Sequence, residues 1–358
     1  MNSLIRAEVS AAALRANLAR IREVAPSSRV MAVVKANAYG HGLIPTALCL
    51  ADADAFAVAR LEEALALRGA GVRNPIVLLE GVFNAEQLTE AARANLEIVI
   101  HEDEQLSLLE RAAVGHRFVV WLKIDTGMNR LGFRPSQAQK ALVRLESMGD
   151  RLHELKLMTH FASADERNSR LTQEQLARFD VLTQARGRAR SLANSAAIFA
   201  QPDSHGEWVR PGLALYGVSP FPDQVGSALG LTPAMRLVST VIAVREVPFG
   251  ETVGYGGIWR AQRDSRVAIV AAGYGDGLPR ALPNGTPVLV RGQRGELVGR
   301  VSMDMIAVDV TAIGDVQVSD GAVLWGPELP VEEIAAHAGT ISYELLCGVS
   351  QRVPLRLY

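Results

Sequence analysis

The sequence predicts an α/β chain: an N-terminal (β/α)8 barrel followed by a mostly β C-terminal domain. Three observations carry this. Short apolar runs alternate with helical patterns up to about residue 230. Those runs are apolar without alternation, which suits strands buried on both faces. After about residue 231 the texture changes to β-branched runs between Gly, Pro and Asp turns.

The runs are VMAVV (30–34), AFAVA (55–59), PIVLL (75–79), LEIVI (96–100), FVVWLKI (118–124), LKLMT (155–159), ARSLAN (189–194) and GEWVR (206–210). Eight βα units point to a closed barrel, with an open doubly wound sheet as the alternative. Ser10 is the expected N-cap of a helix with Leu14, Leu18 and Ile21 on one face. NAEQ (84–87) and TQEQ (172–175) have the form of capping boxes. HEDE (101–104) reads as an acidic helix start rather than a set of metal ligands. RLVSTVIAVREV, RVAIVAAG, PVLVRG, GELVGRVS, MIAVDV and AVLWG then build the second domain, interrupted by one helical stretch, VEEIAAHAG. The expected division is 1–230 and 231–358, with the first residues available to pair with the second domain.

The 358 residues are 49% hydrophobic and 21% charged, with a formal net charge of -1. Near-neutral charge gives no basic surface for nucleic acid or acidic lipid. Cys49 and Cys347 are the only cysteines and no C-x-x-C occurs, which fits a reducing compartment without structural disulfides or zinc. Arg6, Glu8 and Arg15 interrupt what a signal peptide would need as an apolar core. No apolar window is long enough to span a bilayer. The expectation is a soluble cytoplasmic protein. Walker, G-x-S-x-G and H-E-x-x-H motifs are absent, so those hydrolase classes lose support.

Lys35, Arg60, Glu80, His101, Asp125, His160, Ser195 and Arg210 lie at or just past the ends of successive strands, where a barrel gathers its chemistry. Lys35 follows the buried run MAVV directly and precedes a tight loop, ANAYGHG. A strand-end lysine can simply snorkel to water. Desolvated, it becomes a usable amine for a Schiff base, and pyridoxal 5′-phosphate (PLP) is the cofactor that most often needs one. PLP also needs a phosphate cradle. Ser195 in ANSAA and the backbone amides of Gly212 and Leu213 in VRPGLALYG offer one, although RPG is equally an ordinary turn before a helix. VGYGG and AGYGDG lack the complete G-x-G-x-x-G and read as β-domain turns.

AVVKANAYGHG, WLKIDTGMNRLGF, LMTHFASAD, ANSAA, VRPGLALYG, GETVGYGG, AAGYGDGLPR, VGRVSMDM and ISYELLCGVSQRVP occur in the order seen in bacterial alanine racemases. The chain resembles that family over essentially its whole length. The resemblance implies a PLP-dependent isomerase interconverting L- and D-alanine as a homodimer with shared active sites. It implies Lys35 as the PLP lysine and the base on one face, with Tyr255 as the base on the other, reaching the partner's site. Tyr39, Ser195, Gly212, Leu213 and Tyr343 would hold the phosphate. Arg210 would meet the pyridine nitrogen and His160 would link Arg210 to Tyr255. Arg130 and the Met303 amide would bind the substrate carboxylate. Lys123 matches a position open to carbamylation, which lets it brace Arg130, and Asp304 an entrance residue. Asn129 stands where glycine is frequent, Leu278 where tyrosine is frequent, and VPLRLY extends the usual ending.

The chemistry agrees with that assignment. Racemisation removes the Cα proton from one face and returns one to the other, so two bases avoid moving one across the substrate. A tyrosine serves at neutral pH only if its phenolate is stabilised. A guanidinium donates hydrogen bonds only, so Arg210 would keep the ring nitrogen unprotonated and suppress transamination. Other readings of the same residues are a broader amino-acid racemase, a non-enzymatic PLP carrier, and a PLP decarboxylase of related fold.

Overall fold

The computed structural model describes residues 3–112, 115–183 and 187–358. The chain opens with β1 (Arg6–Val9) and α1 (Ala11–Val24). Ser10 caps α1, its Oγ accepting from Ala13 N–H at 3.2 Å, and Leu14, Leu18 and Ile21 are buried. Then come β2 (Arg29–Val33), a single turn α2 (Lys35–Tyr39), α3 (Leu43–Cys49), β3 (Ala55–Val58), α4 (Leu61–Gly69) and β4 (Ile76–Leu78). They are followed by α5 (Ala85–Arg93), β5 (Glu97–Ile100), α6 (Asp103–Arg111), β6 (Phe118–Lys123), α7 (Pro135–Ser147) and β7 (Leu152–Met158). The barrel ends with α8 (Arg170–Thr183), β8 (Arg190–Asn194), α9 (Ser195–Ala200) and β9 (Trp208–Arg210).

The strands from β2 to β9 form a closed parallel barrel, and each falls on one of the eight apolar runs. Closure is made by β9 against β2, Trp208 opposite Arg29 and Val209 opposite Val30. Every residue of β3 and β4 is buried, as a sheet covered by its interior and by helices demands.

Two local expectations meet different outcomes. Asn84 caps α5 by accepting from Gln87 N–H at 2.8 Å, with Gln87 Oε1 reaching back to Phe83 N–H. TQEQ is not a cap: α8 starts earlier, at Arg170, and Thr172 and Gln175 are buried within it. Gln175 instead accepts from Ala162 N–H at 2.9 Å and donates to His160 O at 3.0 Å, so tertiary bonding has displaced the capping role. Asp103 and Glu104 do form the acidic first turn of α6.

The C-terminal part contains β10 (Met235–Val247), β11 (Thr252–Val253), β12 (Trp259–Arg260), β13 (Ser265–Val270), β14 (Pro287–Val290), β15 (Gln293–Val298), β16 (Ile306–Asp309) and β17 (Gly321–Trp325). Helices α10 (Val331–Ala338) and α11 (Ser342–Gly348) precede β18 (Leu355–Leu357). One sheet has the order β13-β16-β15-β14-β17-β10-β1-β18, with β13 also pairing β10. β1 pairs antiparallel with β10 and parallel with β18, so the first strand of the chain sits in the second sheet. The second helix, α11, departs from the single helical stretch expected here. Ile341 at its N-cap offers no side-chain hydrogen bond, so no local signal marks its start. Among the described residues, no helix is long and apolar enough to cross a membrane.

Candidate active site

At the C-terminal ends of the barrel strands lies a cavity of about 680 Å³. It brings together Lys35, Tyr39, Lys123, Arg130, His160, Ser195, Arg210, Gly212, Leu213 and Tyr343. Glu80, Asp165 and Cys347 also line it.

Lys35 reaches the rim because the buried residues of β2 carry the chain there, and a sharp turn follows. Ala36, Asn37, Ala38 and Tyr39 all adopt left-handed backbone, with φ of +53°, +54°, +53° and +51°. Each non-glycine residue in that region costs roughly 1–2 kcal/mol relative to right-handed helix, with Asn the most tolerant. Gly40 closes the turn at φ +79°, and a Cβ there would strike the carbonyl of Leu346. The Lys35 amine is held below its ordinary pKa by burial first and by the Arg130 charge second, with Glu80 and Glu63 opposing.

Tyr39 ends the turn buried. Its ring stacks on Tyr216 at 5.0 Å and lies 5.8 Å from Tyr343. Burial pushes both the Tyr39 and the Tyr343 hydroxyl up, to about 12 for Tyr343, so they are donors at neutral pH. Opposite Tyr39, Gly212 has no room for a side chain, since a Cβ would sit 2.5 Å from the Tyr39 hydroxyl. Ser195 stands at the start of α9, which Asn194 caps through Ala197 N–H at 3.0 Å. Ser195 Oγ accepts from Gly212 N–H at 2.9 Å and Ala214 N–H at 3.2 Å. Tyrosine hydroxyls, a serine hydroxyl and backbone N–H groups at the 3₁₀ helix Leu213–Tyr216 therefore meet at one wall.

Arg210 is buried at the end of β9. It donates to Ser191 Oγ at 2.7 Å, Thr159 O at 2.7 Å and Leu192 O at 3.2 Å. Burial pushes its pKa down to about 10, which leaves it protonated at neutral pH. Arg210 Nη2 also lies 3.3 Å from His160 Nδ1. Guanidinium can only donate, so His160 Nδ1 accepts and its proton belongs on Nε2. Desolvation, then Arg210, Lys123, Arg130 and Lys35, hold His160 well below its usual pKa, consistent with a neutral ring. Lys123, at the end of β6, is pushed down to about 8 by burial, with Arg210, Arg130 and Lys35 adding to the shift.

Tyr255, Met303 and Asp304 do not join this cavity. Tyr255, in the 3₁₀ turn Tyr255–Gly257 between β11 and β12, is 68% exposed. Met303 is also exposed, and its carbonyl accepts from Gly275 N–H at 2.9 Å. Asp304 pairs with Arg352 at 2.9 Å, which also binds Asp276. Gly254 lies against the backbone of Arg300, so the Tyr255 turn packs beside the segment leading to Met303 and Asp304. All three are exposed, and none lines the cavity that holds Lys35 of the same chain.

Among the departures from the family pattern, Asn129 has φ +56°, a conformation glycine adopts freely and Asn tolerates best among other residues. Leu278 is buried. Glu80 was legible as a strand-end carboxylate without an assigned role. Asp165 and Cys347 carried no local cue to the cavity, although both lie in the motifs LMTHFASAD and ISYELLCG.

Residues 9–220 match the alanine racemase N-terminal domain, and residues 234–357 match the alanine racemase C-terminal domain. A curated alanine racemase of Shewanella woodyi is 52% identical over 357 residues, spanning 100% of both chains. The crystal structure of the biosynthetic alanine racemase from Pseudomonas aeruginosa superposes with a TM-score of 0.97 at 46% identity, again over 100% of both chains. That of alanine racemase from Acinetobacter baumannii gives 0.95 at 38% identity over 100% of both. Barrel, β domain and full-length identity agree, and the chain is an enzyme of the alanine racemase family.

Proposed function

We propose that the chain interconverts L- and D-alanine with PLP, using Lys35 and the partner's copy of Tyr255 as bases on opposite faces of the substrate. The carrying observation is the division of the site. One chain gathers Lys35, Arg210 and the Tyr39–Ser195–Gly212 wall in one cavity, and leaves Tyr255, Met303 and Asp304 exposed elsewhere. A second copy of the chain would supply what the cavity lacks, as in an isologous dimer.

The residues fit PLP. Gly212 lets the Tyr39 hydroxyl approach the backbone where any Cβ would clash, so hydroxyl and amide donors converge on one wall of the cavity. The cavity carries four basic side chains, Lys35, Lys123, Arg130 and Arg210, against two carboxylates, Glu80 and Asp165. That surplus suits a phosphate dianion. When bound, PLP supplies an electron sink that acidifies the Cα proton of the amino acid.

The chain's own groups then do the following. Lys35, with its lowered pKa, takes and returns a proton at Cα through Nζ. Tyr255 Oη does the same from the other face, and the Nε2–H of His160 stabilises it as phenolate. Arg130 and the partner's Met303 amide would orient the carboxylate, and the Lys123 amine, by taking up CO2 and losing a proton, would become a carbamate anion that braces Arg130. Arg210 would face the ring nitrogen of bound PLP with donors only and so keep it unprotonated, which would favour return of the proton to Cα over transamination.

The test is purified chain with PLP, incubated with a panel of L-amino acids and assayed for each D-enantiomer. D-alanine as the dominant product supports the reading. Conversion of many amino acids would make it a broad racemase, and PLP binding without any D-product would remove the activity.

A further inference from the structure

Four consecutive left-handed residues between Lys35 and Gly40 need a reason to stay there, because their backbone bonds alone do not select that hand. Those bonds are Ala38 N–H to Val34 O at 2.9 Å, Gly40 N–H to Ala36 O at 3.2 Å and Gly42 N–H to Asn37 O at 3.0 Å. Such a conformation persists only where the surroundings over-determine it.

Two side chains without a role in the chemistry above supply that determination. At the entry, Glu63 of α4 accepts from Ala36 N–H at 2.6 Å through Oε1. Its Oε2 accepts from Ala59 N–H at 3.0 Å and Arg60 N–H at 3.1 Å, so this carboxylate ties the turn to the end of β3. At the exit, His41 is 0% exposed, and its Nδ1 lies 3.1 Å from Ala38 O and 2.9 Å from Tyr39 O. Both partners are acceptors, so Nδ1 carries the proton. Nε2 is buried without a partner, and a bare acceptor there costs less than a buried, unpaired N–H, which selects the neutral ring. The imidazole also stacks on Tyr216 at 4.5 Å, and Tyr216 stacks on Tyr39.

We propose that His41 and Glu63 are positioning residues that clamp the left-handed turn and thereby aim Lys35 Nζ and Tyr39 Oη into the cavity. The turn begins directly after Lys35 and ends on Tyr39. If it relaxed toward the right-handed helix that Ala-rich sequence prefers, both side chains would move together. The catalytic part of this proposal rests on the function proposed above; the structural part does not.

The test compares His41→Asn, His41→Gln and Glu63→Gln. Asparagine places an N–H donor where Nδ1 stands; glutamine places its amide near Nε2 and leaves the two carbonyls bare. Glu63→Gln keeps one of two acceptor oxygens for three amides. Hydrogen exchange is followed by mass spectrometry at the amides of residues 38–42, with kcat and KM for L-alanine measured on PLP-loaded enzyme. In His41→Gln and Glu63→Gln, local exchange should accelerate about tenfold or more with the rest of the barrel unchanged. Their kcat should fall about tenfold or more with KM within about threefold, because Arg130 is untouched. His41→Asn should stay within about threefold of wild type on all three measures. Unchanged local exchange in His41→Gln, or equal damage in His41→Asn and His41→Gln, overturns the clamp. A wild-type chain that fails to racemise with PLP removes the proposed function instead, and the exchange comparison still decides the clamp.

Discussion

Mixing two inactive variants gives the sharpest test of a composite site. Lys35 lines the barrel cavity, whereas Tyr255 is 68% exposed in the turn between β11 and β12 and contributes nothing to that cavity in its own chain. Lys35→Ala and Tyr255→Phe should each fall about a thousandfold, within the usual range for loss of a positioned acid–base group. In a mixed dimer, one site receives Lys35 from the Tyr255→Phe chain and Tyr255 from the Lys35→Ala chain, and is intact. The other site carries both lesions. Random reassociation of equal amounts makes half the dimers mixed, so about a quarter of the wild-type number of sites returns. The assay is D-alanine formation after subunit exchange, titrated over the mixing ratio. Activity should peak at equal amounts, with the KM of wild type, because each recovered site has wild-type composition. A mixture no more active than its parents would refute the shared site and require Tyr255 to serve Lys35 within one chain or not at all.

Other perturbations probe the charges of the cavity. Arg210→Glu replaces donors to Thr159 O and Leu192 O with an acceptor; racemisation should drop about a hundredfold or more and pyruvate should appear by transamination, whereas unchanged rates and no pyruvate would refute the donor-only argument. Lys123, pushed down to about 8, is increasingly neutral as pH rises through that value; with ¹³C-bicarbonate a carbamate carbon signal should grow across that range and vanish in Lys123→Ala, and its absence at high pH would refute carbamylation. His41 is pushed by burial from 6.5 down to about 4, so between those values the unfolded chain binds a proton that the folded ring refuses. Stability should therefore fall as pH drops through this window, by up to about 3 kcal/mol from this ring alone. In denaturant unfolding, wild type should lose that much stability relative to His41→Asn as pH falls through the window; parallel curves would refute the assignment.

The barrel was legible because strands buried on both faces must be apolar throughout, and that signal is local. β3 and β4 are buried at every position, and both lie within expected runs. The left-handed turn was not legible. Alanine favours right-handed helix, and nothing in KANAYG states the hand; Glu63 and His41 impose it from outside the turn. The same limit explains α11, whose N-cap Ile341 offers no capping side chain and which yet delivers Tyr343 and Cys347 to the cavity. TQEQ failed in the opposite sense. Its local pattern was right for a cap, but Gln175 gains more by bonding Ala162 and His160 under the site. Local chemistry thus reported strands and individual reactive residues, and tertiary hydrogen bonds decided their orientation.

The electrostatics of the cavity separate two kinds of cation. Arg210 is buried deepest, yet even pushed down to about 10 it cannot release its proton at neutral pH. Lys35 and Lys123 are pulled toward release, by burial first and by neighbouring cations second. The fixed charge is therefore buried and tied to Ser191, Thr159 and Leu192, while Lys35 and Lys123 are half-buried and Arg130 is exposed. His160 responds to all four cations and stays neutral, so it can pass a hydrogen bond outward without adding another charge. Each cation raises the cost of the others, and an anionic occupant lowers that cost for all of them at once. Binding of phosphate and carboxylate groups is then favoured by relief of repulsion as well as by direct contacts. Because that relief would also raise the amine pKa values, the site needs its desolvation to persist with ligand in place. Burial is the largest cause of the lowered Lys35 pKa, and the αL turn preserves it by fixing where Lys35 enters the cavity.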